Sequence, residues 1–152
     1  MLAQIACDAL DEARKSAQLL IFAYVLMHDH IHLITDSSRS IAETLKFTNG
    51  IVARRVINYL KENNHAESLL KLRIQMRNRQ HKYTLFQHHP NAFEIYGEDT
   101  MMQKVNYVHL NPVRAGLTHH PDDYLFSSAR LWQGKALEHE PLVTDHRSIK
   151  WR

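Results

Sequence analysis

The sequence predicts an α+β domain with helices packed on an antiparallel sheet. Three features point there. An apolar stripe at helical spacing occupies the first 17 residues. Two β-rich segments follow with only a two-residue connection between them. A second long helical stripe then opens on a serine cap. From there the order reads helix, strand, strand, helix, strand, helix. In a chain of 152 residues this makes one layered domain with a single core.

Met1 to about Ala17 reads as a helix because Leu2, Ile5, Ala9, Leu10, Ala13 and Ala17 share one stripe. Gln18 to Met27 is dense in Leu, Ile, Phe, Tyr and Val, the composition of a buried strand. His28-Asp29 turns the chain, and His30 to Thr35 alternates as the second strand of a hairpin that ends at Asp36. Ser40 with Glu43 three residues on is a capping-box signature. Ile41, Leu45, Val52, Val56, Tyr59 and Leu60 line one face of the helix it opens; Gly50 weakens that helix without breaking it, and Asn63-Asn64 stops it.

The stretch from Ser68 to Lys82 suits a DNA-facing loop as well as a helix, and Tyr83 to Phe86 reads as a short strand. Thr100 to about Asn111 is predicted to be a helix ended by Pro112, because the residue before a proline is pushed out of helical geometry. Gly116 adds a second stop. Ser127 and Ser128 are candidate caps for a last short helix reaching Trp132. We expect one domain over residues 1–143 and a short tail over 144–152.

Composition removes several classes of function. Four glycines and four prolines exclude collagenous and low-complexity chains. The single cysteine, Cys7, excludes an internal disulfide framework and a cysteine-rich zinc module. The longest apolar run, Leu19 to Met27, is far below the roughly 20 residues of a membrane-spanning helix. No secretion signal opens the chain, so a reduced, cytoplasmic setting with no membrane partner is expected. The net charge of +3 hides an uneven distribution. Lys46, Arg54, Arg55, Lys61, Lys71, Arg73, Arg77, Arg79 and Lys82 face only Glu62 and Glu67 between Thr44 and Phe93. Such a stretch attracts phosphates and points towards nucleic acid; a solvated basic helix face is the alternative.

Two groups carry chemistry. His30 and His32 are two apart on a strand, so their imidazoles share a face at roughly 7 Å along the backbone and can converge on one divalent metal. A pair of surface histidines on a half-exposed strand would read the same way. Tyr107 lies on the predicted helix from Thr100, with Lys104 three residues before it and Asn111 four after. An ammonium on that face would favour a phenolate nucleophile. His28 reads as a turn residue.

The stretch Tyr107-Val108-His109-Leu110-Asn111-Pro112-Val113-Arg114-Ala115-Gly116-Leu117, then Pro121 to Arg130, closely resembles the C-terminal half of the REP-associated tyrosine transposases. These form a single-tyrosine branch of the HUH nuclease superfamily. Their other hallmark, a strand ending in His-hydrophobic-His, stands here as Tyr24 to His32. The resemblance runs from about Leu2 to Val143. It implies a ferredoxin-like sandwich, an antiparallel sheet with helices on one face. It implies a DNA transposase and endonuclease: Tyr107 attacks single-stranded or hairpin DNA, keeps the 5′ phosphate as a phosphotyrosine, and later passes it to another 3′ end.

By the same resemblance His30 and His32 hold Mg²⁺ or Mn²⁺, and Asn111 takes the place of a third ligand, with His89 or Gln87 as other candidates. Lys46, Arg54, Arg55, Lys71, Arg73, Arg77, Arg79, Lys82 and Arg114 are the expected DNA contacts. Arg130 would touch DNA or brace the fold. Trp132 would stack on a base or close the core.

Family members usually begin with a further strand, central to the sheet, that this sequence lacks. The expected consequences are an open sheet edge, and a homodimer formed through it or a poorly stable monomer. A catalytically impaired DNA-hairpin-binding module is the alternative function.

Overall fold

The computed structural model describes residues 1–73, 86, 91–136 and 143–151. Helix α1 spans Leu2–Ala17, strand β1 Leu20–Leu26, strand β2 Ile31–Asp36, helix α2 Ile41–Glu62, helix α3 Ala66–Lys71, helix α4 Glu98–Arg114 and helix α5 Ala129–Trp132. Single 3-10 turns cover Pro121–Asp123 and His146–Ser148. The fold is α+β. Among the described residues the sheet has two strands, β1 and β2, paired antiparallel. The expected strand at Tyr83 to Phe86 lies outside the described residues except for Phe86, which packs on the core.

The local signals that predict α1, the hairpin and α2 act as expected. Ser40 accepts the Glu43 N–H while the Glu43 carboxylate reaches back to the Ser40 N–H, a complete capping box. Helix α2 runs through Gly50 and stops at Asn63.

Successive strand residues face opposite ways, except where a bulge between Ile21 and Ala23 shifts the register of β1. Tyr24 and Leu26, with Ile31 and Leu33, pack against Cys7 and Leu10 of α1 and Val52, Val56 and Leu60 of α2. Phe22, Val25 and Ile34 turn to the other side, onto Met101, Val105 and Val108 of α4. Helices therefore cover both faces of the hairpin, not one face as expected. The cause is in the strand itself: Ile21–Leu26 is buried throughout, and an apolar run without a polar side needs a layer on each face.

Two further expectations are corrected. Pro112 does not end α4, which continues to Arg114. Proline removes one N–H donor there, but the ring is fully buried. The helix closes instead on Gly116 at φ +70°, where the Gly116 N–H reaches the Val113 carbonyl and the Leu117 N–H the Pro112 carbonyl.

The outer edge of β1 is also not open. Leu26 N–H donates to the Phe126 carbonyl, Ser128 N–H to the Tyr24 carbonyl, and Thr144 N–H to the Ile21 carbonyl. The Tyr24 N–H donates to Ser128 Oγ at 2.9 Å, Trp132 Nε1 donates to the Phe22 carbonyl at 2.8 Å, and the Tyr124 hydroxyl to the Leu26 carbonyl at 2.8 Å. The chain fills this edge of β1 with its own C-terminal residues.

Candidate active site

The site begins with the pleat of β2. Ile31 and Leu33 point to the α1/α2 side, so His32 points to the α4 side. His30, just before the strand, lies on that same side, its ring edge-on to His32 with centroids 4.8 Å apart.

Helix α4 supplies the facing residues. Its buried stripe is Met101, Val105, Val108, His109 and Pro112. Tyr107, Asn111 and Arg114 follow one another at four and three residues, so they form a stripe on its outer side. The Tyr107 ring meets the His32 ring edge-on, with centroids 5.6 Å apart. The Arg114 guanidinium carbon lies 4.8 Å from the Tyr107 ring centroid. This contact exists because α4 passes through Pro112; a helix ended at Asn111 would not bring Arg114 two turns back over the tyrosine. Tyr107 is 46% exposed, open to a ligand arriving from solvent.

Hydrogen bonds fix the surrounding groups. Asn111 donates from Nδ2 to the Tyr107 carbonyl at 2.9 Å. Its amide also bonds the His32 imidazole. Burial is the main force lowering the His32 pKa, the neighbouring His30 adds to it, and the Asn111 bond opposes both. His32 is thus biased to the neutral form, the form that ligates metals. Asp29 Oδ1 lies 2.7 Å from His30 Nδ1. That bond holds the Asp29 carboxyl below its usual range.

The structure therefore brings together five residues predicted from the sequence: His30, His32, Tyr107, Asn111 and Arg114. It does not bring Lys104 to the tyrosine. The Lys104 ammonium sits over the Phe93 ring, 4.7 Å from its centroid, so Arg114 is the cation beside Tyr107.

The basic residues of α2 are elsewhere too. That helix packs with α1 on the far side of the hairpin, and there Arg55 pairs with Glu12 at 2.6 Å and Arg54 with the same carboxylate at 3.9 Å. Lys46 and Arg73 are exposed, and Lys71 pairs with Glu67 at 3.7 Å. Arg77, Arg79, Lys82, Gln87 and His89 lie outside the described residues.

Arg130 braces the fold: it is buried and donates to the Tyr124 and Leu125 carbonyls. Trp132 closes the core through its bond to Phe22. Ser128 is the N-cap residue of α5, but its hydroxyl makes no cap bond and is spent on β1.

Sequence reading misses two participants. Asp29 reads only as a turn residue, although an aspartate directly before the first histidine of a His-x-His strand is a usable signal. His109 is missed because its partner is distant in sequence: its Nε2 lies 2.8 Å from Ser128 Oγ. Burial lowers its pKa to about 4.

Among the described residues no group of three or more His, Cys, Asp or Glu side chains comes together as a metal site, and no helix is long and apolar enough to cross a membrane. Among the described residues, the donors the structure brings together from the predicted ligand set are two imidazoles and one amide. Comparison with family models, curated proteins and solved structures finds no match to this chain.

Proposed function

We propose that this chain is a metal-dependent, single-tyrosine DNA endonuclease and strand transferase, acting on single-stranded or hairpin DNA in the cytoplasm. The observation that carries the reading is the position of Tyr107, edge-on to His32 and under the Arg114 guanidinium. Two segments far apart in sequence, each read for its chemistry, meet at one solvent-facing point. Under this reading the two-stranded sheet is part of a ferredoxin-like sandwich.

The chemistry of the donor set suits a divalent cation. Asp29 engages Nδ1 of His30 and leaves Nε2 available, His32 is biased neutral, and Asn111 brings an amide oxygen to the same side. His30, His32 and Asn111 are the residues that would hold Mg²⁺ or Mn²⁺. When bound, the ion polarises the scissile phosphate and offsets its developing charge.

The chain's own residues do the rest. The Tyr107 phenol gives up its proton to solvent and its oxygen attacks phosphorus. The bond from phosphorus to the 3′ oxygen breaks, and that oxygen takes a proton to leave as a 3′ hydroxyl. The 5′ phosphate stays on Tyr107 until another 3′ hydroxyl attacks it, which restores a phosphodiester and frees the phenol. Arg114 offers planar N–H donors to the phosphate oxygens beside the ring it covers.

The test is a covalent adduct. Labelled single-stranded hairpin DNA is incubated with protein and Mg²⁺ or Mn²⁺ and run on a denaturing protein gel. The reading expects a shifted band that Tyr107→Phe and a chelator each abolish. Hairpin binding without any band would instead identify a DNA-hairpin-binding module.

A further inference from the structure

We propose that Asp29 is a positioning residue: it fixes the proton of His30 on Nδ1 and so presents the Nε2 lone pair as the ligand atom. The proposal takes its purpose from the metal reading above, but its first test does not depend on that reading.

Three observations carry it. Asp29 Oδ1 lies 2.7 Å from Nδ1 of His30, the nitrogen nearer the backbone, so Nε2 is the nitrogen this contact leaves unengaged. Asp29 adjoins His30 in the connection between β1 and β2, where Met27 N–H closes the hairpin on the His30 carbonyl at 2.9 Å, so the backbone that carries the pair is held by the hairpin. And the His30 ring starts a series of edge contacts, to His32 and from there to Tyr107, so its orientation sets one wall of the site.

The two histidines are thus held by different partners. His32 bonds a neutral amide on α4, and His30 bonds an anion on its own hairpin. An anionic acceptor on the second nitrogen fixes the tautomer and makes the imidazole a stronger donor to a metal. His28, whose charge also acts on Asp29, and His32 offer no negative charge to the pair.

The experiment has two arms. In metal-free protein, ¹⁵N spectra of the histidine rings report the tautomer directly. The parent protein is expected to carry the His30 proton on Nδ1, and Asp29→Ala to shift it towards Nε2. Asp29→Asn, which keeps an acceptor but loses the charge, falls between them.

In the second arm Mn²⁺ alone is titrated and followed by electron paramagnetic resonance. Asp29→Ala is expected to weaken binding about 10- to 100-fold. The Asp29 side chain is 61% exposed, so the fold tolerates both changes, which a melting curve checks. An unchanged tautomer in Asp29→Ala overturns the proposal, as does a changed tautomer with unchanged Mn²⁺ affinity. No Mn²⁺ binding by the parent would overturn the metal reading instead, while the tautomer arm still decides what Asp29 does to His30.

Discussion

At the scale of single residues, Arg114 is the most informative position. A guanidinium over an aromatic face is attractive by about 1 kcal/mol, which restricts the rotamers open to Tyr107. The same group keeps N–H donors free for a phosphate. Lysine would keep the charge and lose the planar fork. Arg114→Ala is expected to slow adduct formation on the order of a hundredfold, the cost of losing one donor aimed at transferring charge. It should also flatten the salt dependence of hairpin binding by about 0.7 in log–log slope, one phosphate contact on a single strand. Arg114→Lys should restore the slope but not the rate. Filter binding across a salt series and single-turnover gels measure the two effects separately. Equal rates for the lysine and arginine forms would mean that charge alone matters and that ring stacking has no part in positioning the nucleophile.

At the scale of elements, the clasp between α4, β1 and α5 decides whether the site is assembled. Ser128 Oγ accepts the Tyr24 N–H and sits against Nε2 of His109, two residues beyond Tyr107 on the same helix. Removing the hydroxyl leaves a buried backbone donor unpaired, so Ser128→Ala should lower unfolding stability by about 2 kcal/mol in a denaturant titration.

His109 adds a pH dependence. Its pKa drops from 6.5 when unfolded to about 4 in the fold, because burial penalises the charged form. Between those values the unfolded chain binds more protons. Stability is therefore full above pH 6.5, falls as pH drops towards 4, and levels below it, a loss of about 3 kcal/mol. A neutral substitute such as His109→Gln should flatten that slope.

These contacts also show what is legible in the sequence. Helix α1, the hairpin and α2 are written in local periodicity and a capping box, and Tyr107 and Asn111 in helical spacing. The clasp joins residues 104 apart in the chain, so no window of sequence contains it. The run of α4 past Pro112 is equally hidden, because burial of the ring and a left-handed Gly116 override a local rule. Gly116→Ala, which meets no neighbouring atom, should cost only the backbone term of about 1–2 kcal/mol.

At the scale of the whole molecule, the three-layer arrangement separates charge from chemistry. The sequence places a strongly basic stretch in mid-chain, and α2 carries its first part. That helix lies on the opposite side of the hairpin from α4, and its arginines turn towards Glu12 of α1. A short single strand held at Tyr107 would meet Arg114 and have the sheet between it and Arg54 or Arg55.

The double variant Arg54→Gln/Arg55→Gln should therefore form the phosphotyrosine adduct within about twofold of the parent rate. Its cost should appear as a small loss of melting temperature from the broken Glu12 pair, worth well under about 1 kcal/mol for so exposed a contact. Charge steering falls off beyond a Debye length of about 8 Å at physiological salt, so the comparison belongs at that salt concentration. If the double variant lost adduct formation as severely as Arg114→Ala, with stability unchanged, the DNA would have to pass around the edge of the sheet and engage both helical layers. A long hairpin would then show the loss and a minimal single-stranded substrate would not, which makes substrate length the variable that separates local recognition at α4 from wrapping around the domain.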